Sequence, residues 1–231
     1  MISLIVPTYN EAKNLPKLIP LLYSELKKTG QKFEIVIVDD NSPDKTWSVA
    51  AKYKKYNVRV IRRTKDRGLA NSVIDGFNNS KGDIIGVIDA DLSHPPALLP
   101  KMVKESATND IVIASRYVAS GRSDSFSLFR KIVSIGATFL AKPLTSVKDP
   151  MTGYFLVNRK VIKGAKLKAL GYKILLEILV KGKYDKKKVV EVPFTFEKRY
   201  LGKSKLGFKV YINYILHLSS LYFYKLFGKK N

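Results

Sequence analysis

Three short apolar runs constrain this chain most: Leu4-Ile5-Val6, Ile35-Val36-Ile37-Val38 and Ile84-Ile85-Gly86-Val87-Ile88. The first opens into Pro7-Thr8-Tyr9-Asn10-Glu11, the second into Asp39-Asp40-Asn41-Ser42-Pro43-Asp44, and the third into Asp89-Ala90-Asp91-Leu92-Ser93-His94-Pro95-Pro96. Read as strands, all three carry polar clusters at their C-terminal ends, where open α/β sheets hold ligands. Periodicity predicts strand 2–6, helix 12–28, strand 33–38, helix 44–56, strand 58–62, helix 67–79, strand 83–88, helix 96–107 and strand 110–115. Strands separated by helices require right-handed crossovers, so an α/β fold with a mostly parallel central sheet is expected. Past about residue 120 the rhythm breaks into a polar loop, 121–127, a helix, 129–144, and strands at 153–157 and 189–196. With 231 residues, 45% of them hydrophobic, and no internal repeat or disordered linker, one large domain fits better than two small ones.

Asp89 and Asp91 stand one residue apart at the end of the third run. In an extended segment such residues point to one side, so both carboxylates can meet one hard divalent cation, Mg²⁺ or Mn²⁺, and the cation can hold a diphosphate. A strand that merely ends in two solvated acids has the same sequence, so the pair alone decides little. The clusters at the other strand ends give it weight.

Charge narrows the partners. The formal net charge is +23, and residues 159–231 hold 19 Lys or Arg against four acids. Such a field attracts polyanions: nucleic acid, anionic lipid headgroups or phosphate-bearing substrates. The chain has no Cys, which excludes disulfides and thiolate chemistry. Met1 leads straight into a strand with no basic segment or cleavage site, so no signal peptide is expected and a cytosolic location is. No P-loop or dinucleotide fingerprint occurs.

Together the three strand-end clusters resemble the family 2 glycosyltransferases of GT-A (Rossmann-like) fold. The later motifs Ser115-Arg116-Tyr117, Arg130-Lys131 with Ser134, Asp149-Pro150-Met151-Thr152-Gly153-Tyr154 and Arg199-Tyr200-Leu201-Gly202-Lys203-Ser204-Lys205 resemble the dolichyl-phosphate mannose synthases within that family. The resemblance covers nearly the whole chain. It implies an inverting transfer of mannose from GDP-mannose to dolichyl or another polyprenyl phosphate on the cytoplasmic face of a membrane. It also implies nucleotide-sugar contacts from Pro7, Tyr9, Glu11, Val38, Asp40, Asp89, Ala90, Asp91, Arg130, Arg199 and Lys205, and acceptor-phosphate contacts from Arg116, Arg130 and Ser134. Asp89, Asp91 and Ser93 match the metal positions, and Asp91, Asp89 and Arg130 are the expected catalytic set. Ser93 stands where some relatives have Gln, and Ala70 where many have a second Gly, which leaves the metal role of the first and any phosphate contact near the second open. His94 reads as structural rather than as a ligand.

Residues 206–231 form a candidate amphipathic helix after a catalytic domain spanning 1–205. Lys209, Asn213, His217 and Ser220 fall near one stripe, which disfavours spanning a bilayer, while the aromatic remainder with Lys225, Lys229 and Lys230 suits a membrane interface. A helix laid on the protein's own core fits the same pattern. Many single-chain relatives continue into transmembrane helices, so a separate membrane subunit is one expected arrangement. The rival readings are transfer from UDP-glucose or a UDP-N-acetylhexosamine, a basic nucleic-acid-binding protein, and a lectin-like protein. Acidic strand ends argue against nucleic acid as a partner, because they repel phosphate unless metal-loaded.

Overall fold

In a computed structural model the described residues are 1–122, 128–168, 173–201 and 208–228, with the side chains of 128–131 and 208–211 outside the description. The first half alternates as the apolar spacing predicts: β1 (Ile2–Thr8), α1 (Leu15–Lys27), β2 (Phe33–Asp39), α2 (Thr46–Ala51), β3 (Val58–Arg62), α3 (Leu69–Asn79), β4 (Ile84–Val87), α4 (Leu99–Glu105) and β5 (Ile111–Ser115). After it come α5 (Leu128–Ala141), β6 (Phe155–Asn158), α6 (Arg159–Ile162), α7 (Ile174–Lys181), β7 (Val189–Pro193) and α8 (Phe208–Phe227).

The seven strands form one sheet in the order β3-β2-β1-β4-β6-β5-β7. β6 runs antiparallel to both its neighbours, and all the other pairings are parallel. Successive side chains of a strand point to opposite faces, so β1 feeds two cores at once. Ile2, Leu4 and Val6 pack with Leu15, Leu18, Ile19, Leu22 and Leu26 of α1, whereas Ile5 joins Val73 and Phe77 of α3 on the other face. The α1 set recurs at three- and four-residue spacing, the stripe that a helix needs to cover a sheet. Each such side chain contributes roughly 1.5–3 kcal/mol by leaving water. α3 lies close because Gly76 has no side chain; a Cβ there would stand 2.6 Å from Ile5 Cγ2.

The predicted boundaries shift where a turn competes with a helix. The helix expected over 44–56 stops at Ala51 and resumes as a short 3₁₀ turn, Lys54–Tyr56. The one expected over 96–107 begins as the 3₁₀ turn Pro96–Leu98. α6 and α7 are additions that the sequence pattern did not predict. α7 is buried nearly all round, so it has no polar face to give a 3.6-residue period.

Candidate active site

The chain runs from β1 to β2 on one side and later returns to place β4 on the other, so the order of the sheet reverses between β1 and β4. In open sheets the crevice beyond such a point receives ligands. Two loops wall it on the β1–β2 side, laced by side-chain oxygens. Asp39 accepts from Ser42 N at 2.9 Å, Ser42 Oγ at 2.6 Å and Thr8 Oγ1 at 2.9 Å. Asn10 N donates to Ser42 Oγ, Glu11 N to Thr46 Oγ1 and Ala12 N to Asp44 Oδ2. Asn10 and Asn41 take left-handed backbone, with φ of 59° and 53°, a conformation Asn tolerates better than most residues. Tyr9 stands out from this wall, while Pro7 is buried in β1.

Asp40 is more committed than the sequence reading expects. Its carboxylate accepts from Arg63 Nη1, Ser72 Oγ and Gly68 N, and Arg63 also holds Asp75 and the Asp66 carbonyl. It therefore anchors the 63–68 turn, where Gly68 adopts φ 144°, a conformation reserved for glycine. The Val38 side chain lies in the core, so only its backbone borders the crevice. Neither the Asp40 network nor Arg63 was legible from the sequence, since no local pattern links positions 40, 63 and 72.

The acidic pair also differs from expectation. β4 ends at Val87, and the chain turns at 89–92 with Leu92 at φ 62°, so the same-side argument for an extended segment does not hold there. Asp91 is instead aimed by its turn: Oδ1 accepts Ser93 N at 3.0 Å and Ser93 Oγ at 2.5 Å, and Oδ2 faces Arg199 Nη1 at 3.0 Å. Asp89 is more open, with its side chain 35% exposed, and its Oδ2 lies 3.5 Å from His94 Nδ1. Gly153 gives it room, since a Cβ there would stand 3.0 Å from Asp89 Oδ1. Ala90 is buried between the two acids. His94 lies among Tyr154, Phe194 and Phe196, and burial holds its basicity below the ordinary value although Asp89 and Asp91 pull the other way.

A strap from 197 to 201 crosses this cluster. Glu197 N donates to the Ser93 carbonyl, Tyr200 N to the Asp91 carbonyl, and Asn14 Nδ2 to the Leu201 carbonyl, while Lys17 Nζ sits 3.8 Å above the Tyr200 ring. Arg199 Nε is buried beneath it with no hydrogen-bond partner. The guanidinium thus neutralises Asp91 and keeps a donor in reserve, an arrangement suited to an anion.

On the far side, Arg116 is buried and bidentate to Asp149, with Nε to Oδ2 at 2.8 Å and Nη2 to Oδ1 at 2.7 Å; the Arg116 amide adds a third bond to Oδ2. Those nitrogens serve the fold, which limits the acceptor contact expected of Arg116. Ser134 Oγ meets Tyr117 OH at 2.8 Å on the same side of the crevice. The side chains of Arg130 and Lys205 lie outside the described residues.

Among the described residues no three His, Cys, Asp or Glu side chains gather as a metal cage. Asp89 and Asp91 still fit a hard cation that completes its shell with phosphate oxygens and water, as Mg²⁺ does in nucleotide sites. The open Asp89 carboxylate and the anion-ready Arg199 are the features that fit.

Sheet order, switch-point crevice and acidic turn define an α/β protein with a ligand site suited to a phosphate-bearing nucleotide, and the family match makes it a glycosyltransferase. The chain belongs to glycosyl transferase family 2, whose model matches residues 3–164. It is 45% identical over 226 residues to a dolichol-phosphate mannosyltransferase of Pyrococcus furiosus, covering 95% of this chain and 63% of that relative. It is 36% identical to a dolichol-phosphate mannosyltransferase of Saccharomyces cerevisiae, over 99% of this chain and 89% of the relative. Among solved structures it resembles mannosyl-3-phosphoglycerate synthase from Rubrobacter xylanophilus, with a TM-score of 0.71 at 16% identity over 100% of this chain and 76% of the other. A Pyrobaculum calidifontis mannosyltransferase in complex with GDP-Man and Mn²⁺ gives a TM-score of 0.65 at 19% identity, covering 100% of this chain and 65% of that one.

Proposed function

We propose that this glycosyltransferase moves mannose from GDP-mannose to dolichyl or another polyprenyl phosphate at a membrane surface. The observation that carries the reading is the 45% identity to a dolichol-phosphate mannosyltransferase across 95% of this chain, which includes the later motifs as well as the strand ends. Asp89 and Asp91 would hold a divalent cation, Mg²⁺ or Mn²⁺, whose chemistry is to offset charge on the departing diphosphate. Ser93 keeps Asp91 oriented through two hydrogen bonds and reaches an ion only indirectly. Tyr9 and Glu11 flank the base and ribose, and Arg199 turns its free Nε to a phosphate. The acceptor needs no general base, because a phosphate monoester is already anionic near neutral pH. It needs cationic positioning, supplied by Arg130, Arg199 and Lys205 with the Ser134 hydroxyl; Arg116 acts there mainly by holding Asp149.

The lipid side is supported by α5 and α8. They lie alongside each other, with Tyr214 OH donating to the Ala137 carbonyl, Tyr222 OH to that of Leu140 and Lys225 Nζ to that of Pro143. α8 packs on the protein's own core, one of the two alternatives that the sequence reading set, and its exposed side chains leave the membrane role open to it as well. Tyr214, Leu218 and Leu221 pack on Leu144, Met151 and Leu176, while Ile215, Leu216, Leu226 and Phe227 of α8 and Ile132, Ile135 and Phe139 of α5 stay exposed. His217, expected on a wet stripe, is buried against Glu177. Among the described residues no helix is long and apolar enough to cross a membrane. Exposed apolar side chains on two adjacent helices, followed in sequence by Lys229 and Lys230, suit reversible binding to the cytoplasmic leaflet. We read 1–205 as the catalytic part and 206–231 as its interfacial helix.

A donor panel of GDP-mannose, UDP-glucose and UDP-N-acetylglucosamine, with a polyprenyl phosphate and Mn²⁺ or Mg²⁺, tests the reaction. Product from GDP-mannose alone is expected; product only from a UDP-sugar would overturn the donor. Sedimentation with anionic liposomes is expected for the chain by itself, and binding that appears only with an added membrane subunit would overturn the lipid face.

A further inference from the structure

His94 takes no part in the proposed transfer, yet the residue is 2% exposed and its ring is caged by Tyr154, Phe194 and Phe196 at centroid distances of 5.4, 5.5 and 5.4 Å. A phenylalanine would fill such a cage without carrying polar atoms into it. The imidazole instead keeps Nδ1 buried with no hydrogen-bond partner, a costly state for a group that folding could have satisfied. Nδ1 faces Asp89 Oδ2 at 3.5 Å, just beyond hydrogen-bond length. An ionised carboxylate only accepts, so a neutral imidazole facing it presents Nδ1–H. A small swing of the partly exposed Asp89 side chain closes the gap.

We propose that His94 is a positioning residue for the metal carboxylate: its Nδ1–H donates to Asp89 Oδ2 and fixes how the other oxygen meets a divalent cation. The inference rests on the metal role proposed for Asp89. Carboxylates that bind metals are commonly held by an outer hydrogen bond, and loss of such a bond typically weakens metal binding about 10–100-fold. The bond stays long without the cation and shortens when the carboxylate is drawn into place, as hydrogen bonds in empty sites often do.

Two substitutions separate this role from packing. His94→Phe keeps the ring and removes the N–H, whereas His94→Asn loses the ring and returns an amide N–H near the Nδ1 position. Mn²⁺ binding to the full chain in the presence of GDP is read by calorimetry and electron paramagnetic resonance. His94→Phe should melt close to wild type and bind Mn²⁺ about tenfold or more weakly. His94→Asn should melt lower yet recover most of the Mn²⁺ affinity, and the KM for the lipid phosphate should stay unchanged in both. Equal Mn²⁺ affinity in His94→Phe and wild type would overturn the proposal while leaving the metal site standing. Absence of Mn²⁺ binding by wild type would overturn both. A direct Mn²⁺–nitrogen coupling in pulsed resonance would make His94 a ligand and overturn the positioning role. Should His94→Asn fail to fold, the comparison of His94→Phe with wild type decides.

Discussion

The half of the sheet built from β1 to β4 and the half built from β5 to β7 solve the same packing problem in different ways. In the first, every strand is parallel, every helix covers a face, and the loops at the strand ends are tied by Asp39, Asp40, Asp44 and Arg63 into fixed walls. In the second, β6 runs antiparallel, and α5 and α8 leave large apolar side chains outside. The first half is a rigid receptacle for a soluble, highly charged ligand, for which preformed geometry is the main requirement. On the proposed reading the second meets a partner that is itself apolar, which fits the apolar side chains its helices leave exposed.

Breaking the buried Arg116–Asp149 pair should have the largest effect. Arg116→Ala leaves Asp149 charged and enclosed, and should lower stability by about 3–5 kcal/mol in urea unfolding. Unchanged stability with loss of acceptor use alone would move Arg116 from scaffold to substrate contact. Asp91→Asn comes next and strikes the first half. It keeps the shape of the turn and removes the charge, so turnover of GDP-mannose should fall on the order of 10²–10³, with a smaller loss of stability than for Arg116→Ala because Arg199 is partly exposed and Asn keeps the acceptor for Ser93. On the second half, Leu216→Glu combined with Phe227→Glu removes two exposed apolar groups worth roughly 1.5–3 kcal/mol each when buried. Liposome sedimentation should drop more than about tenfold, with turnover of a short soluble isoprenyl phosphate retained.

The smallest effect is one of pH. Glu177 is buried between α7 and α8; burial raises its pKa, but His217, Lys181 and the Lys168 amide together bring it below the ordinary 4.5. Its stabilising contribution is therefore present above pH 4.5 and is lost as pH falls through the lower folded value. Hydrogen exchange on lowering the pH to about 3 should show α8 amides losing protection before those of β1. Loss of both together would mean that the two halves unfold as one unit.

The first half was legible because its signals are local. β1, β2 and β3 fall within two residues of the predicted strands, and the turn residues at their ends are the chemistry-bearing ones. The second half hides its logic in distant pairs. Nothing near Arg116 announces Asp149, nothing near Asp91 announces Arg199, and α7 lacks the alternation that marks a helix. His217 misled for the same reason: its polarity suggested water, but its partner lies 40 positions away in α7. Asp89 and Asp91 were found by spacing, although a turn rather than a strand presents them.

The clasp between Arg116 and Asp149 joins two positions 33 apart in the chain, one just after β5 and the other before β6, with α5 between them in sequence. On the proposed membrane reading, a pull on α5 would reach the sheet through the segments on either side of this clasp. Both segments have further ties: Arg122 exchanges backbone hydrogen bonds with Phe194 and Phe196 on one side, and the Lys148 and Asp149 amides donate to Glu191 of β7 on the other. On that reading these ties, together with the ion pair, would shield the acidic turn from such a pull.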